Sequence, residues 1–176
     1  AKAQYVIAAR YAQGQGSARA LALIWTEAAH WFGLAASAGL APAQYRLTVL
    51  YERGDGVTKD LGRAQAWYTR AAAQGNVKAM HNLAVAASGG RGRDADYALA
   101  AKWFAEAAAY GLVNSQFNLC ILAEQGLGMP KNLTEAYKWF SLAAATGDAE
   151  AAKRRDLVKA ELPAAARAGA DQAINA

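Results

Sequence analysis

The stretch Ala64-Gln65-Ala66-Trp67-Tyr68-Thr69-Arg70-Ala71-Ala72-Ala73-Gln74-Gly75 decides the fold, because its framework of Ala, Trp, aromatic, paired Ala and Gly occurs four times. The other copies are Ala28/Trp31/Phe32/Ala35/Ala36/Gly39, Ala100/Trp103/Phe104/Ala107/Ala108/Gly111 and Ala136/Trp139/Phe140/Ala143/Ala144/Gly147. Trp31, Trp67, Trp103 and Trp139 stand 36 residues apart at each step, and so do the four glycines. A fixed period of this length marks stacked supersecondary units, each burying its apolar face against the next. Within the stretch, offsets of three and four gather Ala64, Trp67, Tyr68, Ala71 and Ala72 on one face of a helix.

A second helix precedes this one in each unit. It is carried by Ala43, Leu47, Leu50 and Tyr51, echoed by Ala79 and Leu83 and by Ser115, Leu119 and Leu122. Glycine pairs follow it, Gly54/Gly56, Gly90/Gly92 and Gly126/Gly128, and suit a left-handed helix stop. Asp60, Asp96 and Asn132 lie four residues beyond the second glycine, where a short polar side chain caps the next helix. Asn132 with Glu135 has the spacing of a capping box. Gly39, Gly75, Gly111 and Gly147 end the repeated helices, and Pro42, Asn76, Asn114 and Asp148 open the following ones.

The expected architecture is therefore all-α, a solenoid of antiparallel helix pairs. A single array covers 1–162, with units at about 1–40, 41–76, 77–112 and 113–148, a capping helix at 149–162 and a frayed tail at 163–176. The first unit is four residues longer, Gln4-Tyr5 preceding Gln44-Tyr45 by 40 residues. The addition falls between Ser17 and Trp25, and Trp25 has no obvious counterpart. In the capping helix Arg155 replaces Leu47 and Leu83, as a water-facing end requires. The four repeated Trp are expected to be the buried cement between helices, so that Trp67→Ala costs about 3–5 kcal/mol.

Composition narrows the function classes. Of 176 residues 55% are hydrophobic, yet no apolar run approaches the roughly 18 residues of a membrane span. The chain opens at Ala1 inside a helical pattern and reads as a piece of a longer protein. The single Cys120 excludes an internal disulfide or a cysteine-based zinc site. A net charge of +5 is modest, and the basic group Lys153-Arg154-Arg155 with Lys159 reads as a solvated helix face, not a nucleic-acid site. His30 and His81 stand in different units, and the glycine pairs recur once per unit as turns, not phosphate cradles. The sequence thus points to no catalytic residue, no metal site and no cofactor.

The unit Ala43-x-Tyr45-x-Leu47-x-x-x-Tyr51-x-x-Gly54-x-Gly56-Val57-x-Lys59-Asp60-x-x-x-Ala64-x-x-Trp67-Tyr68-x-x-Ala71-Ala72-x-x-Gly75 resembles the Sel1-like repeat family, relatives of the tetratricopeptide repeats. The likeness covers residues from about 2 to 162 and implies a right-handed superhelix acting as an adaptor or scaffold. The family's Gly after the first-helix Leu is Thr48, Ala84 and Cys120 here, which makes Cys120 a small packing residue. A narrower likeness lies in Val77-Lys78-Ala79-Met80-His81-Asn82-Leu83-Ala84, Ser115-Gln116-Phe117-Asn118-Leu119 and Tyr137-Lys138-Trp139-Phe140-Ser141-Leu142-Ala143-Ala144. These strings are similar to the C-terminal repeats of the bacterial polar organelle development (PodJ) family. That resemblance implies a periplasmic fragment of an inner-membrane cell-polarity factor, itself soluble and tethered through the longer protein.

By analogy with the tetratricopeptide relatives, the first helices line a concave binding face. The residues flanking their packed Leu are Tyr45, Arg46 and Val49, then His81, Asn82 and Val85, then Phe117, Asn118 and Ile121. Tyr45, His81 and Phe117 are related by the 36-residue step. Two arrangements are open: an exposed ladder of flat side chains with Arg46, Asn82 and Asn118 beside it, suited to an extended peptide, or rings packed between helices. The expected partner is a protein or peptide. The alternatives are peptidoglycan and a structural spacer or self-association surface.

Overall fold

Ala64, Tyr68, Ala71 and Ala72 form the buried stripe of a helix spanning Leu61–Ala73 in the computed structural model of the protein, which describes residues 1–12, 18–89, 94–145 and 147–175. Among the described residues there are ten helices and no strand. They are α1 (Lys2–Tyr11), α2 (Ala18–Ser37), α3 (Ala41–Arg53), α4 (Leu61–Ala73), α5 (Val77–Ala87), α6 (Tyr97–Ala109), α7 (Val113–Gln125), α8 (Leu133–Ala145), α9 (Ala149–Glu161) and α10 (Ala164–Asn175). The chain forms two compact units, 1–83 and 84–176, parted inside α5. None of the described helices is long and apolar enough to cross a membrane.

The turn from α2 to α3 shows why the units repeat. Gly39, at φ +87°, donates to the Ala36 carbonyl, and Leu40 donates to the Ala35 carbonyl. This closes the helix end in a Schellman motif on the paired alanines. The same pair of bonds forms at Gly75/Asn76, Gly111/Leu112 and Gly147/Asp148. Gln44 Nε2 adds a bond to the Ala36 carbonyl at 3.2 Å, and Gln116 Nε2 to the Ala108 carbonyl at 3.2 Å, so the first helix of one repeat caps the second helix of the repeat before it.

The cap residues differ in part from expectation. Asp60, Asp96 and Asn132 each accept from the amide three residues on, at 2.9–3.0 Å. Asn76 does the same for α5, and Asp148 accepts from both Glu150 and Ala151. Pro42 and Asn114 lie in the first turns of α3 and α7, as expected of residues that open these helices, and the cap positions before them are held by Leu40 and Leu112, with no side-chain bond. The capping box of Asn132 and Glu135 is half formed, because the Asn132 amide already donates to the Ala123 carbonyl at 2.8 Å. The Glu135 carboxylate instead accepts from Trp139 Nε1 at 3.0 Å. Gly90 and Gly92 lie outside the described residues.

The expected role of the tryptophans needs correction. Of the two adjacent aromatics in each copy, the buried ones are Phe32, Tyr68, Phe104 and Phe140, whereas Trp31, Trp67 and Trp103 are half-buried and Trp139 is 37% exposed. The inward stripe runs through positions i, i+4, i+7 and i+8 of the helix, which places Trp at i+3, on its edge. There Arg70 lies over the Trp67 ring, its guanidinium carbon 4.6 Å from the centroid.

In the first unit α1 packs on α2, α2 on α3 and α3 on α4, around Ala8, Phe32, Ala35, Ala43, Leu47 and Leu50. In the second, α6 to α9 pack in succession and α10 returns to α8. The tail expected to fray is thus a helix: Ala170 is buried against Phe140 and Val158, and Tyr137 Oη donates to Asp171 Oδ1 at 2.8 Å. Trp25 also has counterparts. Counting by 36 gives Leu61 and Tyr97, and the loop glycines Gly56 and Gly128 abut the carbonyls of Trp25 and Tyr97 alike. The extra length of the first unit therefore lies before Trp25, in a helix that starts at Ala18, where α4 and α6 start at Leu61 and Tyr97.

Candidate functional site

The ring ladder expected on the first helices is docked, not free. Tyr45 packs on Tyr68 with centroids 5.9 Å apart at 50°, and Phe117 on Phe140 at 5.6 Å and 70°. Tyr5 repeats the contact on Phe32 at 5.6 Å. Tyr5, Tyr45 and Phe117 thus each meet the buried aromatic of the second helix in their own repeat, in the tilted or edge-on geometry aromatic pairs prefer. Tyr45 and Phe117 remain half-buried, with part of each ring available at the surface.

Asn82 is likewise engaged. Its Nδ2 donates to Tyr68 Oη at 2.9 Å, and that hydroxyl donates to Glu52 Oε2 at 3.1 Å. Burial, together with the neighbouring Tyr45, pushes the Tyr68 hydroxyl up to about 12, so it keeps its proton as a donor throughout the neutral range. Burial lowers the pKa of His81, which makes it a neutral imidazole at pH 7 and not a cation. In the second unit Ile121 packs with Phe117 beside the buried Cys120, Val85 packs beside Ala84, and Asn118 is half-buried.

Cys120 behaves as the packing residue the sequence suggests. Burial first, then the carboxylate of Glu135, pushes its thiol up to about 12. At pH 8 iodoacetamide should alkylate the folded protein on the order of 10³ times more slowly than the urea-unfolded chain. Equal rates would show an accessible thiolate. Because the unfolded chain releases this proton near pH 9 and the folded chain retains it to about 12, stability should fall as pH rises through that window.

Three predicted residues do come together. Tyr45, Arg46 and Val49 line a cavity of about 290 Å³ in the first unit, bounded by α1, α2 and α3. Trp25 and Phe32 supply its aromatic walls, and Arg53 and Asp55 its other charged groups. Arg46, Val49 and Arg53 fall at i, i+3 and i+7 of α3 and so share one stripe. That spacing could have disclosed Arg53; Trp25 comes from the preceding helix, and no local spacing signals it. Among the described residues no three His, Cys, Asp or Glu side chains gather in a way that could hold a metal ion.

A family model described as Sel1 repeat matches residues 1–40, 41–76, 77–111 and 113–148. The chain is also similar to two solved structures. One is c5321, described as a protective antigen present in uropathogenic Escherichia coli strains and displaying an SLR fold, at 30% identity and a TM-score of 0.78, over 89% of this chain and 33% of that one. The other is a Sel1 repeat protein from Oxalobacter formigenes, at 31% identity and a TM-score of 0.73, over 85% of this chain and 60% of that one. The chain therefore spans about a third of the first and three fifths of the second. No curated protein sequence gives a significant match.

Proposed function

This chain belongs to the Sel1 repeat family, and from that premise we propose that it is a non-catalytic scaffold binding a peptide segment of a protein partner on the face of its first helices. Sel1 repeats generally mediate protein–protein interaction. The observation that carries the reading is the convergence of Tyr45, Arg46 and Val49 on one cavity, where a polar, charged and aromatic lining leaves room for a side chain. His81 and Asn82 in the first unit, and Val85, Phe117, Asn118 and Ile121 in the second, hold the equivalent first-helix positions, each half-buried and so able to contribute an edge. The peptidoglycan alternative has less support, because Tyr45 and Phe117 spend one side of their rings on Tyr68 and Phe140 instead of offering an open face to a sugar.

The setting we propose is the periplasmic part of a bacterial polarity factor, tethered through the longer protein. Its support is the three strings in α5, α7 and α8 that are similar to polar organelle development proteins. A photo-crosslinking amino acid tests the binding face. Placed at the exposed Arg46 it should capture a discrete partner in cell extract, and placed at the exposed Ala66 of α4 it should not. Capture at position 66 alone would put binding on the other helix layer and sink the proposal.

A further inference from the structure

We infer that the cavity between α1, α2 and α3 takes a carboxylate flanked by an apolar side chain of a peptide, a deepening that rests on the binding face proposed above. The apolar half of the lining is built from Trp25, Phe32, Tyr45 and Val49. At about 290 Å³ the space lies at the small end of ligand sites, enough for one or two residues and not for a folded element. The polar half holds two guanidiniums and the Asp55 carboxylate. Arg46 and Arg53 stand two helical turns apart, about 10 Å along α3, and both reach the same cavity.

These arginines differ from others in the chain. Arg63 pairs with Asp60, Arg154 with Glu124 at 2.8 Å and Arg155 with Asp156 at 2.8 Å. Among the described residues neither Arg46 nor Arg53 has a carboxylate within ion-pairing distance, although Asp55 lines the same cavity. Two cations and one anion leave the cavity with a local charge of +1 (2 − 1), and Asp55 can accept a peptide amide while the guanidiniums face a carboxylate. A planar fork of donors matches a carboxylate better than any other side chain does.

The repeat makes the arrangement specific to one place. Positions equivalent to Arg46 hold Asn82, Asn118 and, in α9, Arg154, which is paired with Glu124, and those equivalent to Arg53 hold Gly89, Gln125 and Glu161. Only α3 carries the pair, so the anchor is a single basic point in an otherwise polar face. An acidic side chain and a C-terminal carboxylate offer the same chemistry, and the test separates them.

Three octapeptides of Gly and Ser, each with one Leu, serve as probes. One has Glu beside the Leu and an amidated end, the second has Leu as a free C-terminal residue, and the third has Gln beside the Leu and an amidated end. Binding is read from the indole N–H resonance of Trp25. The Glu peptide or the free-acid peptide should bind at least tenfold more tightly than the neutral one, and whichever does identifies the source of the carboxylate. The preference should shrink as salt is raised and vanish in Arg46→Gln/Arg53→Gln, whose helicity should match the parent because the removed groups are exposed. Equal binding of all three peptides, binding of none, or a preference that survives the double substitution would overturn the carboxylate assignment. The crosslink at position 46 reports on the broader face independently, so the two ideas can fail separately.

Discussion

Phe140→Ala is expected to destabilise the protein by about 3–5 kcal/mol in urea unfolding followed by circular dichroism, and Trp139→Ala by only about 1–2 kcal/mol. Phe140 is 0% exposed and sits among Cys120, Ala136, Tyr137 and Val158, with its ring 5.6 Å from that of Phe117. Its removal forfeits the transfer free energy and leaves a cavity with rigid walls. Trp139 has the larger ring but is 37% exposed and hydrogen-bonded to Glu135 on the helix surface. Water fills the space it leaves, so no cavity penalty accompanies its loss. The ordering should recur for Phe32 over Trp31 and for Phe104 over Trp103. A Trp139→Ala loss equal to that of Phe140→Ala would restore tryptophan as the cement and contradict the stripe described above.

This contrast shows what the sequence could and could not convey. The period, the helix type and the turn positions were legible because they depend on residues with one strong local preference: Gly39 at positive φ, Asp60 and Asn132 as caps, and Ala71 and Ala72 as close-packing positions. Which of two adjacent aromatics faces inward was not legible from spacing alone. Trp67 and Tyr68 are both within reach of the helix stripe, and the choice turns on the neighbouring helix, where Tyr45 meets Tyr68. The helix at the C-terminal end is hard to read from sequence for a related reason. Ala164–Asn175 has too few large side chains to announce a stripe, and its order comes from Tyr137 and the apolar surface of α8.

The candidate site divides the same way. Tyr45, Arg46 and Val49 could be named from their place beside Leu47, since helical geometry alone sets that relation. The docking of the rings onto Tyr68 and Phe140 could not, because it is a tertiary contact between residues 23 apart in sequence (45 to 68, and 117 to 140). Asn82 reads as a free amide on a helix surface until Tyr68 and Glu52 are placed beside it. A triple substitution of Tyr45, Asn82 and Phe117 would thus damage packing as well as any binding, and the exposed Arg46 is the cleaner probe.

Gly56→Ala and Gly128→Ala are expected to cost about 2–5 kcal/mol each in the same unfolding measurement, well above Gly111→Ala at about 1–2 kcal/mol. All three glycines have positive φ, +70°, +68° and +81°, so left-handed strain is common to them. Their surroundings are not common. A Cβ on Gly56 would stand 2.1 Å from the Trp25 carbonyl oxygen, and one on Gly128 2.1 Å from the Tyr97 carbonyl oxygen, whereas nothing lies within 4 Å of a Cβ on Gly111. The obstructing atoms are helix backbone, which cannot swing aside as a side chain can, so the loop itself would have to retreat. Gly54 and Gly126 occupy the intermediate case, their nearest neighbours being lysine Cβ atoms at 3.5 and 3.3 Å. The expected order is therefore Gly56 and Gly128 first, Gly126 and Gly54 next, and Gly111 last. A Gly56→Ala protein no less stable than Gly111→Ala would mean that the loop does not rest on the preceding repeat's helix, and the close approach at Trp25, which also walls the arginine-bearing cavity, would be lost with it.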